Sequence, residues 1–336
     1  MDIGYYKTLT TSRGFTYSYY FGIPSAKAVA ELDPGDPPLP ALLFLHGFPT
    51  SSRLWKHQAK FFQQKGFIVL APDLLGCGES SKPLNVEAYR PSLVCRDIVE
   101  IIDHEHLETV IPIGHDIGSR IVSRLSNFHS ERFIAFGFIS VPYIAPRPQS
   151  KIDFTLKITR KMCGYELLGH LIFYAEPGAD QLILAQLGSF FSVIFPEDPK
   201  LWVTQVAPIG ALKSWLERGG KTKIASYLAP EDLAAWRQTF CRDGVAPALC
   251  WHKAVVSGLN AEDDGAVPLE KYPIEKPVFY AAANHDYISL SILGIATINH
   301  NCPNATIREF HGGHWLMLSS PDELNAALFS WIMDCI

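Results

Sequence analysis

Neither sign of charge dominates this sequence. Lysine and arginine total 29 against 34 aspartates and glutamates, a formal net charge of −5. No basic surface for nucleic acid and no electrostatic hold on an anionic membrane is expected from that balance. Long apolar runs are missing too, since none approaches the roughly 18 residues that a bilayer span requires. Cysteine is sparse and unpatterned: the seven residues Cys77, Cys95, Cys163, Cys241, Cys250, Cys302 and Cys335 include no Cys-x-x-Cys pair and no metal spacing. That usage argues against a disulfide framework and for a reduced, cytoplasmic protein. The opening residues 1–7 have neither a basic nor an apolar leader region, so a secretory signal is not expected. Gly-rich phosphate loops, cofactor motifs and internal repeats are also lacking, and neither a cofactor nor a metal is expected.

What is present is alternation. Short apolar stretches at 15–21, 41–45, 67–71, 109–113 and 133–141 read as strands, with helical stretches from Ser51 or Ser52 through 65, at 92–104 and at 119–128. The Pro/Gly-rich residues 33–40 read as a surface loop. Strands interleaved with helices imply a mostly parallel sheet wound on both faces, an α/β fold. From 145 to 264 the pattern turns helical, divided by Pro177, Pro196, Pro199, Pro208, Pro230 and Pro247. Alternation resumes with a strand at 278–283, a helix at 289–298, a strand at 306–310 and a helix at 321–333. The expected organisation is a core of residues 1–144 and 265–336, with a helical cap, 145–264, inserted after the sixth strand.

Chemistry concentrates where strands end. The strand at 109–113 runs into Gly114-His115-Asp116-Ile117-Gly118 and then a helix. This strand, Gly-x-nucleophile-x-Gly, helix sequence resembles the nucleophile elbow of α/β-hydrolases, with Asp in place of the usual Ser. A carboxylate suits attack on a saturated carbon bearing a leaving group, because it yields an ordinary ester that water can hydrolyse. Such hydrolysis needs a histidine, an orienting acid and an oxyanion hole. Asp286 follows the strand at 278–283, and His314 lies in His311-Gly-Gly-His-Trp315 after the last strand. The order Asp116, Asp286, His314 is the nucleophile, acid, histidine order of that fold. His46-Gly47-Phe48-Pro49 supplies a tight turn in which a cis bond before Pro49 is expected, leaving the Phe48 amide to point inward. The Ile117 amide is the second oxyanion donor.

The motifs HGFP, GHDIG, NHDY and GGHW, with EPGAD and SGLNAEDD in the cap, resemble the epoxide hydrolases of the α/β-hydrolase fold, above all fungal soluble-type ones. The resemblance spans nearly the whole chain. It implies a cofactor-independent enzyme that opens an epoxide through an ester on Asp116, with Asp286 orienting His314 as base for the hydrolytic water, to give a vicinal diol. The family holds the epoxide oxygen with two cap tyrosines, and at the matching positions this chain has His170 and His252. The expectation is that these histidines bind the leaving oxygen, sharing one positive charge. A shifted register would instead make Tyr165, Tyr174 or Tyr227 the donor. His115 is expected beneath the nucleophile, and Tyr174, Trp251 and Trp315 are further candidates for the pocket. The cap aromatics suit an apolar small-molecule substrate larger than a simple alkyl epoxide, acted on by a monomer or homodimer.

Three rivals stay open. One is a tailoring enzyme on the same scaffold, an epoxide-opening cyclase or isomerase in fungal secondary metabolism with the cap histidines as acid and base. The second is a haloacid-type dehalogenase, although Leu171 and Ile117 stand where such enzymes carry halide- or carboxylate-binding side chains. The third, a non-enzymatic binding protein, predicts a damaged triad.

Overall fold

The computed structural model describes residues 5–30 and 38–336. Eight strands form one sheet: β1 (Tyr6–Thr10), β2 (Thr16–Gly22), β3 (Ala41–Leu45), β4 (Val69–Pro72), β5 (Val110–His115), β6 (Phe136–Ile139), β7 (Val278–Ala283) and β8 (Ala305–Phe310). Their spatial order is β1-β2-β4-β3-β5-β6-β7-β8. The β1–β2 and β2–β4 pairs are antiparallel and all others parallel. β3, β5 and β7 are buried along their whole length, as strands covered on both faces must be.

Alternate residues of these strands serve two helical layers. Leu42, Phe44, Ile111, Ile113, Phe279 and Ala281 pack with Phe62, Leu328 and Trp331, from the helices Lys56–Gln64 and Pro321–Cys335. Leu43, Leu45, Val110, Val278 and Tyr280 pack with Ile98, Ile121, Leu125 and Ile298, from Pro91–His104, Ile117–Phe128 and Ser291–Asn301. Pro91 and Pro321 open their helices where a missing N–H costs nothing.

The sequence reading missed β1. It is a half-exposed edge strand, Tyr-Lys-Thr-Leu-Thr, whose polar side chains hide any hydrophobic period. The residues 33–40 expected as a loop lie outside the described residues up to 37. The expected serine cap also differs. A 3-10 turn, Ser52–Trp55, precedes the helix Lys56–Gln64, and no side chain caps either element. The two serines face other partners: Ser51 Oγ accepts the Trp236 indole N–H at 3.3 Å, and the Ser52 amide donates to Asp73 at 2.8 Å.

Between β6 and β7 the described elements are helical, from Ile152–Cys163 to Leu259–Asp264. The apolar run at 182–195 divides into Ala179–Ala185 and Leu187–Ile194. Phe191, Phe195 and Trp236 stack with ring separations of 6.3 and 5.6 Å, which answers for most of the aromatic residues in this stretch. Three indole N–H groups tie these helices to the residues around the sheet. Trp236 donates to Ser51, Trp251 to the Leu75 carbonyl at 2.8 Å, and Trp315, from the sheet side, to the Ile194 carbonyl at 3.0 Å. No described helix is long and apolar enough to cross a membrane.

Candidate active site

The elbow is a forced geometry. Asp116 sits between β5 and the helix Ile117–Phe128 at φ 55° and ψ −117°, a conformation that side chains adopt only when their surroundings compel it. The compulsion comes from close packing. A Cβ on Gly118 would run into the Leu45 carbonyl, and one on Gly47 would run into the Asp116 carboxyl itself. Glycine at these positions lets the elbow helix press against the end of β3 and lets the Phe48 turn close over the carboxylate.

The Phe48 amide donates to Asp116 Oδ1 at 3.1 Å, and the Ile117 amide also bonds this carboxyl. The peptide bond before Pro49 is cis, as expected. His314 Nε2 lies 3.9 Å from Asp116 Oδ2, and His314 Nδ1 lies 2.6 Å from Asp286 Oδ2. The other oxygen of Asp286 accepts the amides of Ile288 and Ser289, each at 3.0 Å. Of the three side chains, Asp286 and His314 are shut away at 0% and 3% exposure, while Asp116 keeps 23%. Asp116 is therefore the member of the trio that opens onto free space.

Charge follows this enclosure. Burial lifts the Asp116 pKa above the ordinary carboxylate value, against the pull of His314 and the two amides. Burial alone would lower His314, but Asp286 and Asp116 outweigh it and its pKa is raised. His115 lies beneath, donating from Nε2 to the His314 carbonyl at 3.0 Å, and Ser140 Oγ donates to the same carbonyl at 2.8 Å. Burial, first, and the neighbouring His314 then hold the His115 pKa well below the usual histidine value, so that ring stays neutral.

Facing the carboxylate is a cavity of about 240 Å³ lined by Asp116, Ile117, Arg120, His170, Trp251, His252, Asn260 and Ser289, with apolar residues between them. His170 comes from the helix His170–Ala175 and His252 from Ala246–Val256. Both are buried, and among the described residues His170 Nδ1 and His252 Nε2 have no hydrogen-bond partner. Tyr174 packs against them, its ring 5.7 Å from His170 and 4.7 Å from His252. Phe48 meets the His252 ring edge-on at 5.1 Å. Burial, and after it the charge on His314, pushes His170 down to about 3, while burial and then His170 push His252 down to about 3. Here the structure corrects the expected shared charge: among the described residues no acid is paired to either ring, and two neutral imidazoles line the cavity that Asp116 opens onto.

Other candidates fall elsewhere. His115 and Trp315 do not line this cavity. Trp315 borders a second one of about 180 Å³ behind His314, together with Trp202, Tyr227 and His285. Tyr165 spends its hydroxyl on the Tyr287 carbonyl at 2.9 Å. Tyr174 stays close, since burial and then Asp116 raise its pKa.

Sequence reasoning missed the scaffold around the Phe48 turn. His46 is wholly buried; its Nε2 accepts the Leu74 amide at 3.0 Å, and its Nδ1 bonds the Gly47 carbonyl at 2.9 Å. Asp73 accepts the amides of Ser52 and Glu79. The histidine just before Gly47 and the aspartate just after β4 are the signals that could have pointed to this network.

Comparison with known proteins agrees with this geometry. A family model described as alpha/beta hydrolase fold matches residues 40–161. The chain is 26% identical over 298 residues to bifunctional epoxide hydrolase 2 of Sus scrofa, a match covering 87% of this chain but 51% of that longer protein. It is 26% identical over 310 residues to epoxide hydrolase A of Mycobacterium tuberculosis, covering 90% and 92% of the two chains. Among solved structures, an epoxide hydrolase from an endophytic Streptomyces superposes with a TM-score of 0.77 at 22% identity, covering 97% and 94% of the chains. Epoxide hydrolase A from Mycobacterium thermoresistibile gives 0.74 at 23%, covering 97% of each. At such identities the structural likenesses speak for the fold: this chain has the α/β-hydrolase fold, and over most of its length its sequence is similar to epoxide hydrolases.

Proposed function

We propose that the protein hydrolyses an epoxide in two steps, with residues 145–264 as the cap over a core of 1–144 and 265–336. Asp116 attacks one epoxide carbon, forming an ester as the carbon–oxygen bond of the ring breaks. His170 and His252 donate ring N–H bonds to the departing oxygen, which takes up a proton from solvent and becomes the first hydroxyl. His314, oriented by Asp286, then removes a proton from water, and the resulting hydroxide attacks the ester carbonyl. The amides of Phe48 and Ile117 hold the oxyanion. Collapse releases the diol and regenerates the Asp116 carboxylate, returning the proton consumed by the first oxygen.

The observation that carries this reading is the presence around one cavity of a carboxylate and two neutral rings, each with a nitrogen that has no hydrogen-bond partner among the described residues. A carboxylate nucleophile opens a strained ether only if the leaving oxygen is stabilised, and two ring N–H donors on the wall supply that stabilisation. Neutral imidazoles suit the task because they do not neutralise Asp116 by forming an ion pair with it before substrate arrives. The test is a single turnover in heavy-oxygen water with enzyme in excess. The first diol formed should carry an oxygen from Asp116 and none from solvent; solvent label in that diol would sink the covalent scheme. A cyclised isomer formed without uptake of water would support the tailoring reading instead.

A further inference from the structure

The overall charge of −5 hides a local excess of the opposite sign. Residues 147–161 carry Arg147, Lys151, Lys157, Arg160 and Lys161 against one acid, Asp153. Arg160 spends its charge on Glu166 at 2.8 Å, but among the described residues the other four basic side chains form no ion pair. Lys157, Arg160 and Lys161 ride on the helix Ile152–Cys163, and Lys151 stands at its start.

The same helix leaves apolar side chains in water. Phe154, Ile158 and Met162, spaced four residues apart and so on one face, are exposed at 63%, 39% and 63%. Leu156 and Thr159, on the other side, are buried. Single exposed apolar residues are ordinary. A row of three on one helix, flanked by unpaired cations, is the pattern of a helix that lies in the plane of a bilayer interface.

The helix also borders a way in. Ile152, Thr155 and Thr159 line a cavity of about 320 Å³, and the exposed Arg147 stands on the same lining. That cavity shares the apolar Ile144, Leu168, Val255 and Ile288, beside Arg120 and Asn260, with the one over Asp116.

We propose that the helix Ile152–Cys163 docks the protein on the surface of an anionic lipid bilayer. Phe154, Ile158 and Met162 dip toward the acyl chains, and Lys151, Lys157 and Lys161 meet the headgroups. A second copy of the chain fits this face poorly, because a two-fold contact would set the basic residues of one helix against those of the other. An anionic bilayer takes up both the apolar row and the surplus charge. Docked in this way, the protein presents the 320 Å³ cavity beside the lipid, and an apolar substrate dissolved there approaches Asp116 with little exposure to water. That benefit rests on the epoxide hydrolase reading, whereas the docking itself does not.

Co-sedimentation of the full chain with vesicles tests this, using phosphatidylcholine alone or mixed with phosphatidylserine. The wild type should bind the anionic vesicles at least about tenfold more tightly than the neutral ones, and added salt should weaken that binding. Phe154→Gln, Ile158→Gln and Met162→Gln together should lower binding at least about tenfold. The melting temperature should hardly change, because these side chains are already exposed. Lys151→Gln, Lys157→Gln and Lys161→Gln together should erase the preference for anionic lipid. No binding by the wild type, or equal binding to both vesicle types, would overturn the proposal. So would binding that survives the apolar triple variant, since the contact would then lie on another surface. A dimer in analytical ultracentrifugation that the same variant splits, without vesicle binding, would give the face to a second copy instead. No step of the test uses an epoxide, so a failure of the hydrolase reading registers separately, as absent ester formation on Asp116.

Discussion

The floor and the wall of the cavity are built on opposite principles. On the floor, Asp286 spends both oxygens, His314 is held at Nδ1 and at its own carbonyl, and Asp116 is met by two amides and a histidine. The groups are charged and their positions are set before a substrate arrives. On the wall, His170 and His252 are neutral, packed around Tyr174, and each keeps a nitrogen without a partner among the described residues. Satisfied groups hold geometry, whereas unsatisfied ones stay available to a ligand. In the proposed reading the floor does the covalent and hydrolytic chemistry and the wall binds the oxygen, and each half can be broken separately.

The largest effect should come from Asp116→Ala. Turnover should fall at least about 10⁴-fold, with no covalent species at any time, because the wall cannot attack carbon. Retention of measurable diol formation by purified variant would take the nucleophile away from the elbow. His314→Gln comes next. Diol release should slow about 10³-fold while ring opening persists, so that an alkyl adduct on Asp116 builds up in intact-mass spectra. If a substrate that wild type turns over leaves no adduct, His314 is not the base. The wall is then probed by His170→Phe with His252→Phe. Ester formation should slow about 10²-fold and ester hydrolysis should hardly change, as read in single-turnover mass spectrometry. Tyr174→Phe is the control, with an expected loss below about threefold; a larger loss would move the oxygen donor to the tyrosine.

How much of this was open to a reader of the sequence depends on how narrowly each job constrains residue type. The elbow was readable because only glycine fits where Gly118 meets the Leu45 carbonyl, so the pattern around Asp116 has little freedom. The triad order was readable because strand ends reveal themselves as apolar runs that stop, as at Ala283 before Asp286. β1 was not, since an edge strand needs no apolar period. The protonation of the wall was not either. His170 and His252 are written identically whether charged or neutral, and only their burial without a paired acid decides it. Trp315 looked like a pocket residue because it follows His314, yet adjacent residues need not face the same space, and its ring lies on the other side.

The smallest shift, and the one that joins floor to wall, is in pH. Asp286 raises the His314 pKa, and the base works only when deprotonated. Activity should therefore fall as pH drops through that pKa. Asp286→Asn lowers the pKa and should move the acidic limb of kcat to lower pH, along with a slower plateau. A limb that moves upward would mean that another group sets it. The wall histidines, at about 3, should add no limb near neutrality.

The 3.9 Å gap between Asp116 and His314 also imposes an order of events. Two opposite charges at that range attract by roughly 4 kcal/mol at an effective dielectric constant of about 20, which favours the proton staying on the ring while Asp116 is ionised. Alkylation turns the carboxylate into a neutral ester, and that attraction vanishes. The imidazole then releases its proton more readily and becomes able to take one from water only once there is an ester to hydrolyse. In the proposed cycle, arrival of the substrate's carbon on Asp116 is thus the signal that arms the second half, and it requires no moving part.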